Sequence, residues 1–192
     1  MAHAQKMHWF DDFVEIKRQL MNGRMVRIPN AFTQEVIDNY IDFKNCKWEE
    51  EHGIADDEKR EWFKRHKDRD CANPFSEYLM KHKQYFENFL PTKTISEVKL
   101  TATDYRTDDY LELHNDYGNQ RVLTFILHMS NAKPDCGGKL IWAGEYGIKK
   151  ALPRTNTLYL FIPTSQSYHS IETVRCGSRK AITGWFIDGQ YD

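Results

Sequence analysis

In the run Tyr110-Leu-Glu-Leu-His114-Asn-Asp116 an imidazole and a carboxylate stand two residues apart. Residues two apart in an extended strand face the same side, so both can converge on one point. One histidine and one aspartate on a common face make two-thirds of a facial triad of metal ligands. The third ligand must come from another strand. His169 is the candidate, since it follows the apolar run 158–162 and the polar turn Thr164-Ser-Gln-Ser167. A surface His–Asp pair and an ordinary core histidine are the bland alternatives, and neither motif is specific alone. Arg179 sharpens the case. It opens Arg179-Lys-Ala-Ile-Thr183-Gly-Trp185-Phe186, an otherwise apolar strand whose alternation puts Arg179, Ala181, Thr183 and Trp185 on one face. A guanidinium buried there needs an anion, and a dicarboxylate cosubstrate would supply one through two parallel hydrogen bonds.

The elements that must position these residues fall into two halves. Trp9, Phe10, Phe13, Ile16 and Leu20 form one helical stripe over residues 8–22, stopped by Gly23. A short strand ends at Pro29. Thr33 then sits at an N-cap, with Phe32 as a staple and Val36, Ile37, Tyr40 and Ile41 behind it. From 47 to 70, 16 of 24 residues are charged with mixed signs, which predicts a solvated helix or excursion. Trp48, Trp62 and Phe63 inside it need cover, either on the core or as a lid over a site. Another helix is expected from Phe75 to Leu90, ended by Pro91. After it come seven β-like runs, at 95–103, 110–114, 121–129, 139–142, 157–162, 170–174 and 180–187, separated by turn residues such as Asn119, Gly137-Gly138 and Gly177. Strands this closely spaced suggest a sandwich or jelly-roll barrel. The expected fold class is α+β: a double-stranded β-helix (jelly-roll) core with an N-terminal helical layer. One domain is expected over 1–192, with 1–91 mainly helical support and 92–192 the core.

Composition mainly excludes. The 27 Lys+Arg against 28 Asp+Glu leave no basic field of the kind that nucleic-acid or membrane-surface partners require. No run approaches the roughly 18 apolar residues of a membrane span, and the first ten residues lack the apolar stretch of a secretory signal. Cys46, Cys71, Cys136 and Cys176 form no CxxC and lie at no zinc-finger spacing from a histidine. They read as reduced thiols in a soluble, cytoplasmic protein.

His114-x-Asp116, His169 and Arg179 in a barrel resemble the Fe(II)/2-oxoglutarate-dependent dioxygenase superfamily, and its prolyl-hydroxylase-like branch in particular. Tyr105 and Asp109-Tyr110-Leu111 resemble the branch's lead-in, with Asp108 or Asp109 standing where that lead-in has a glycine. Arg121-Val-Leu-Thr124-Phe-Ile-Leu resembles the strand that follows, and Cys136-Gly137-Gly138-Lys-Leu140 its Gly-Gly-x-Leu hairpin. Arg179 to Trp185 resembles the Arg-x-Ala-Ile-Thr-x-Trp strand of the hypoxia-sensing prolyl hydroxylases, and Pro29-Asn-Ala-Phe-Thr-Gln-Glu the branch's N-terminal strand and capped helix. The resemblance covers roughly residues 95–188 well and the N-terminal part loosely.

The resemblance implies Fe(II) held by His114, Asp116 and His169, with 2-oxoglutarate and O2 as cosubstrates and ascorbate as a stimulant. The far carboxylate of 2-oxoglutarate falls to Arg179, with Thr183 on the same face and Trp185 as pocket wall or core. His128 stands where many relatives carry a tyrosine, and is either a donor to that carboxylate or a core histidine; Tyr105 could supply the hydroxyl instead. The implied reaction is hydroxylation of a C–H bond with release of succinate and CO2. The substrate would be a prolyl or other residue of a protein or peptide, or a small amino-acid-like molecule. A nucleic-acid demethylase of the same superfamily would show an arginine where Trp185 stands. A cupin-like metal binder would leave Arg179 unexplained, and a domain that has lost its chemistry would not be expected to keep all three ligands and the arginine intact.

Overall fold

The computed structural model describes residue 9 and residues 12–55, 60–90 and 94–189. Phe10 and the stop signal at Pro91 lie outside them. Four helices, α1 (Phe13–Met21), α2 (Gln34–Tyr40), α3 (Asn73–Lys81) and α4 (Lys83–Glu87), accompany eleven strands. The strands are β1 (Val26–Pro29), β2 (Glu49–Ala55), β3 (Arg60–Asp68), β4 (Glu97–Tyr105), β5 (Tyr110–His114), β6 (Arg121–His128), β7 (Leu140–Gly144), β8 (Gly147–Ala151), β9 (Thr157–Phe161), β10 (Tyr168–Ile171) and β11 (Arg179–Ile187). All pairings are antiparallel, in the order β1-β9-β6-β11-β4-β3-β5-β10-β7-β8, with β2 on β3.

Period-two alternation builds the two cores. On β6, Leu123, Phe125 and Leu127 face the helices, where Phe125 meets Phe75 and Phe186 meets Phe86. Ile126, on the other face, joins Tyr105, Tyr159, Phe161, Leu140, Trp142 and Ile171 inside the barrel. Both faces of β6 and β9 are therefore buried, which is why they read as continuous apolar runs rather than alternating ones. The inner cluster draws on both β4-β6-β9 and β7-β10, so the two halves of the sheet close on each other as a jelly roll.

Three expectations change. The charged stretch is not a helix but the β2–β3 hairpin, and β3 joins the two halves: Phe63 and Lys64 pair with β5, His66 to Asp68 with β4. Its charges are solvated on one side and cross-strand paired, as Arg65 is with Glu51. The N-terminal part thus contributes β1 and β3 to the sheet as well as helices. The helix expected from Phe75 to Leu90 divides at His82, which takes a non-helical conformation between α3 and α4. The capped helix α2 matches its expectation, with Val36 N donating to Thr33 Oγ1.

The third change concerns the cysteines. They are paired, Cys46 with Cys71 and Cys136 with Cys176, so the reading as reduced thiols is corrected and its support for a cytoplasmic setting falls away. Long-range closure by the fold brought together residues 25 and 40 positions apart. The first bridge ties the two ends of the β2–β3 hairpin. The second closes over Gly137, which has φ +71° and where a Cβ would lie 2.0 Å from the Thr173 carbonyl oxygen. No described helix is long and apolar enough to cross a membrane. Opening the first bridge with Cys46→Ala/Cys71→Ala should cost about 3 kcal/mol through the 25-residue loop it closes. Non-reducing thermal denaturation should show a midpoint lower by roughly 10 °C, and unchanged curves would mean that the bridge does not constrain the unfolded chain.

A candidate iron and 2-oxoglutarate centre

His114 closes β5 and His169 lies inside β10, directly opposite it in the ladder. The strand holding His169 starts two residues earlier than the sequence suggests, because it pairs with β7 from Tyr168 onward. A bulge between His169 and Ile171 lets Leu111 and His114 both reach the cleft although they are three residues apart. Asp116 sits just beyond β5. One ligand atom from each of His114, Asp116 and His169 lies within 4.8 Å of the others. His114 Nε2 is 3.6 Å from Asp116 Oδ1, and His169 Nε2 is 3.4 Å from Asp116 Oδ2.

The tautomers follow from the backbone. His114 Nδ1 lies 2.8 Å from the Glu112 carbonyl oxygen and His169 Nδ1 3.2 Å from that of Ser167. A carbonyl only accepts, so Nδ1 carries the proton in both rings and Nε2 of the neutral ring offers its lone pair. Burial drives His169 down to about 4, with His114 pushing the same way against Asp116, so that ring is neutral at physiological pH. Thr124 Oγ1 donates to Asp116 Oδ2 at 3.2 Å, and the Arg121 guanidinium, stacked 3.7 Å over the Trp185 ring, lies 3.7 Å from Asp116 Oδ1. Two imidazoles presenting Nε2 and one oriented carboxylate, converging at a cleft, fit a divalent iron with open positions.

Arg179 is the second feature. It is 1% exposed, and among the described residues it forms no ion pair with a carboxylate. Nη2 donates to His128 Nε2 at 2.9 Å and the guanidinium lies 5.2 Å over the Tyr105 ring, while Nε and Nη1 are buried with no hydrogen-bond partner. Burial lowers its pKa to about 10, still well above neutrality. The β11 register explains the neighbours: Arg179 pairs with Tyr105 on β4, and Ala181 pairs with His128 on β6. Two unsatisfied donors on a buried cation fit the carboxylate of a 2-oxo dicarboxylate.

The cleft is lined by Tyr105, His114, Asp116, His169, Arg179, Thr183 and Trp185, so seven of the eight sequence candidates meet there. His128 does not line it. Burial and the neighbouring Arg179 charge hold His128 well below its ordinary pKa, and the neutral ring accepts from Arg179. It can therefore orient the guanidinium but cannot offer Nε2 as a donor to a cosubstrate. Asp108 takes the left-handed conformation, φ +73°, that a glycine would supply in the lead-in. Sequence reasoning missed Thr124 and Arg65. A lone hydroxyl on the inward face of an apolar strand was the available signal for the first, and the mixed charges of residues 47–70 concealed the second.

Residues 100–187 match the sequence profile of the 2OG-Fe(II) oxygenase superfamily. The human 2-oxoglutarate and iron-dependent oxygenase domain-containing protein 3 is 34% identical over 98 residues, covering 48% of this chain and 30% of that protein, so the chain spans under a third of that relative's length. The fold is similar to a Pseudomonas putida prolyl-4-hydroxylase (TM-score 0.68, 14% identity, 92% of this chain and 98% of that one). It is also similar to a Trichoplax adhaerens prolyl hydroxylase in complex with a hypoxia inducible factor peptide fragment (TM-score 0.62, 19% identity, 96% and 94%). The superfamily's cofactors are Fe(II), 2-oxoglutarate and O2. The matched segment contains the three converging ligands and the unpaired arginine, so over residues 100–187 the chain is similar to the 2OG-Fe(II) oxygenase superfamily.

Proposed function

We propose that this chain is a hydroxylase in which His114, Asp116 and His169 hold Fe(II) and Arg179 binds the distal carboxylate of 2-oxoglutarate. The observation that carries the reading is the buried Arg179 with two orphaned donors, opening on the same cleft as the His-Asp-His set. A cupin-like metal binder would need only the three ligands and would gain nothing from an unpaired buried cation. When bound, Fe(II) and 2-oxoglutarate would let O2 act as the oxidant, one oxygen atom converting a substrate C–H to C–OH and the other entering succinate as 2-oxoglutarate is oxidised with loss of CO2. The chain's own residues do the rest. The Glu112 and Ser167 carbonyls fix the imidazoles, Thr124 orients the carboxylate, and Tyr105 and Trp185 wall the cleft against water. Residues 92–192 form the catalytic core in this reading and residues 1–91 support it.

A peptide or protein substrate, with proline as the first residue to test, is favoured by the Trichoplax neighbour, whose structure holds a peptide fragment. Trp62, 5.8 Å from the His114 ring and edge-on to Phe63, puts an aromatic from the β2–β3 hairpin beside the candidate metal ligands. Addition of Fe(II) and 2-oxoglutarate without oxygen should give the weak visible band of a bidentate 2-oxo acid. Admitting air with a panel of proline peptides, free amino acids and small metabolites should then release succinate for the accepted class. Folded protein that gives no band would refute the reading.

A further inference from the structure

Arg65 lies outside the family-matched segment and outside every motif noted in the sequence, yet it lines the same cleft as His114, Asp116 and His169. The topology puts it there. Lys64 pairs with Tyr110 on β5 and His66 with Asp104 on β4, so Arg65 is the residue at which β3 passes from one half of the sheet to the other. Its guanidinium stands 5.0 Å over the Phe63 ring and adjoins Tyr105, the residue that also lies under Arg179.

The local charges do not close. Glu51 takes Arg65 Nε and Nη2, each at 2.8 Å, on one edge of the guanidinium. The same carboxylate also accepts from Lys67 Nζ. One anion is thus shared by two cations, all three mostly buried, which leaves one positive charge at the wall of the cleft. A guanidinium has five donors; Glu51 takes those on one edge and the Tyr105 hydroxyl accepts another, which leaves the remainder for a ligand. Arg179 is the deeper of the two arginines and already has its anion in 2-oxoglutarate under the reading above.

Resting on that reading, we propose that Arg65 binds the substrate, and that the substrate presents a free carboxylate to it, as a small N-acylated amino acid or a peptide C-terminus does. Arg65 would then select for acids over the corresponding amides, because an amide brings no charge to pair with the surplus cation.

The test uses the full chain loaded with Mn(II) in place of Fe(II) and saturated with 2-oxoglutarate, and reads the relaxation of probe protons by the paramagnetic metal. N-acetylglycine should show saturable relaxation at concentrations at least tenfold below N-acetylglycinamide. Arg65→Gln should remove that preference, Arg65→Lys should restore part of it, and Glu51→Gln should tighten the acid severalfold by removing its competitor. A purely structural Arg65–Glu51 pair would not give the last result. Acetyl-Ala-Ala-Gly as acid and as amide, run in parallel, distinguishes a peptide C-terminus from a small acid. Relaxation of the 2-oxoglutarate protons in the same samples reports on the metal and Arg179 separately and confirms that each variant is folded. If those protons are relaxed but acid and amide behave alike, or Arg65→Gln keeps the preference, the Arg65 proposal is wrong while the oxygenase reading stands. If they are not relaxed in the wild-type chain, both fall.

Discussion

Asp116→Ala should leave the folded chain with less than about a hundredth of the wild-type affinity for Fe(II) or Mn(II), and with no detectable succinate release. Asp116 is the sole carboxylate in the candidate ligand set, and it meets both imidazoles, at 3.6 and 3.4 Å. Its loss leaves two imidazoles whose ring centroids are 4.3 Å apart and no carboxylate to offset a dication. It also frees Arg121, 3.7 Å from the missing oxygen, to direct its charge at the site unopposed. Changes to groups that only orient metal ligands cost about 10–100-fold in affinity, so removing a ligand together with its charge should exceed that range. The fold should survive, because Asp116 lies between β5 and β6 and carries no ladder pairing. Metal content by elemental analysis, and the thermal shift on adding Mn(II), measure the outcome. Wild-type metal content in a folded Asp116→Ala protein would place the metal elsewhere.

Arg179→Ala should weaken 2-oxoglutarate by between about 30-fold and several thousandfold while metal affinity stays near wild type. That range corresponds to the roughly 2–5 kcal/mol lost when one member of a buried, hydrogen-bonded charge pair is removed. The two consequences separate because Arg179 touches none of the three candidate ligands: its contacts are His128 and the Tyr105 ring. Burying this cation costs the ligand-free protein free energy, since two of its donors have no partner. The substitution should therefore destabilise the chain less than the loss of so large a buried side chain would otherwise suggest. Arg179→Lys tests the geometry, because a lysine retains the charge without the paired donors and should recover only part of the affinity. Calorimetric titration of 2-oxoglutarate into the Mn(II) form gives both numbers. Undiminished affinity in Arg179→Ala would remove the cosubstrate assignment.

The candidate site was unevenly legible from residue types and spacing. The convergence of His114 and Asp116 was read from their two-residue spacing, although Asp116 lies just beyond β5 rather than in the strand; the alternation from Arg179 to Trp185 was legible because strand geometry is local. The helical stripe of Ile16 and Leu20 and the Thr33 cap were likewise local patterns, and α1 and α2 follow them. The β2–β3 hairpin was not legible: its cross-strand charge pairs look like the face of a solvated helix until a partner strand fixes the register. The disulfides failed for a related reason, since Cys46 and Cys71 meet only after β2 and β3 have folded back on each other.

By itself the sequence determined the jelly-roll class, the helical cover, the His-Asp-His candidates and the need of Arg179 for an anion. These depend on periodicity, residue chemistry and family pattern. Only the tertiary structure decided that the three candidate ligands converge within 4.8 Å, that both imidazoles present Nε2, and that His128 stands behind Arg179 rather than in the cleft. It also decided that Arg65 enters the cleft, where β3 crosses between the two halves of the sheet. Each of these depends on which carbonyl, carboxylate or strand lies opposite a given side chain. That is fixed by register between segments far apart in the chain, which residue types and local spacing do not encode.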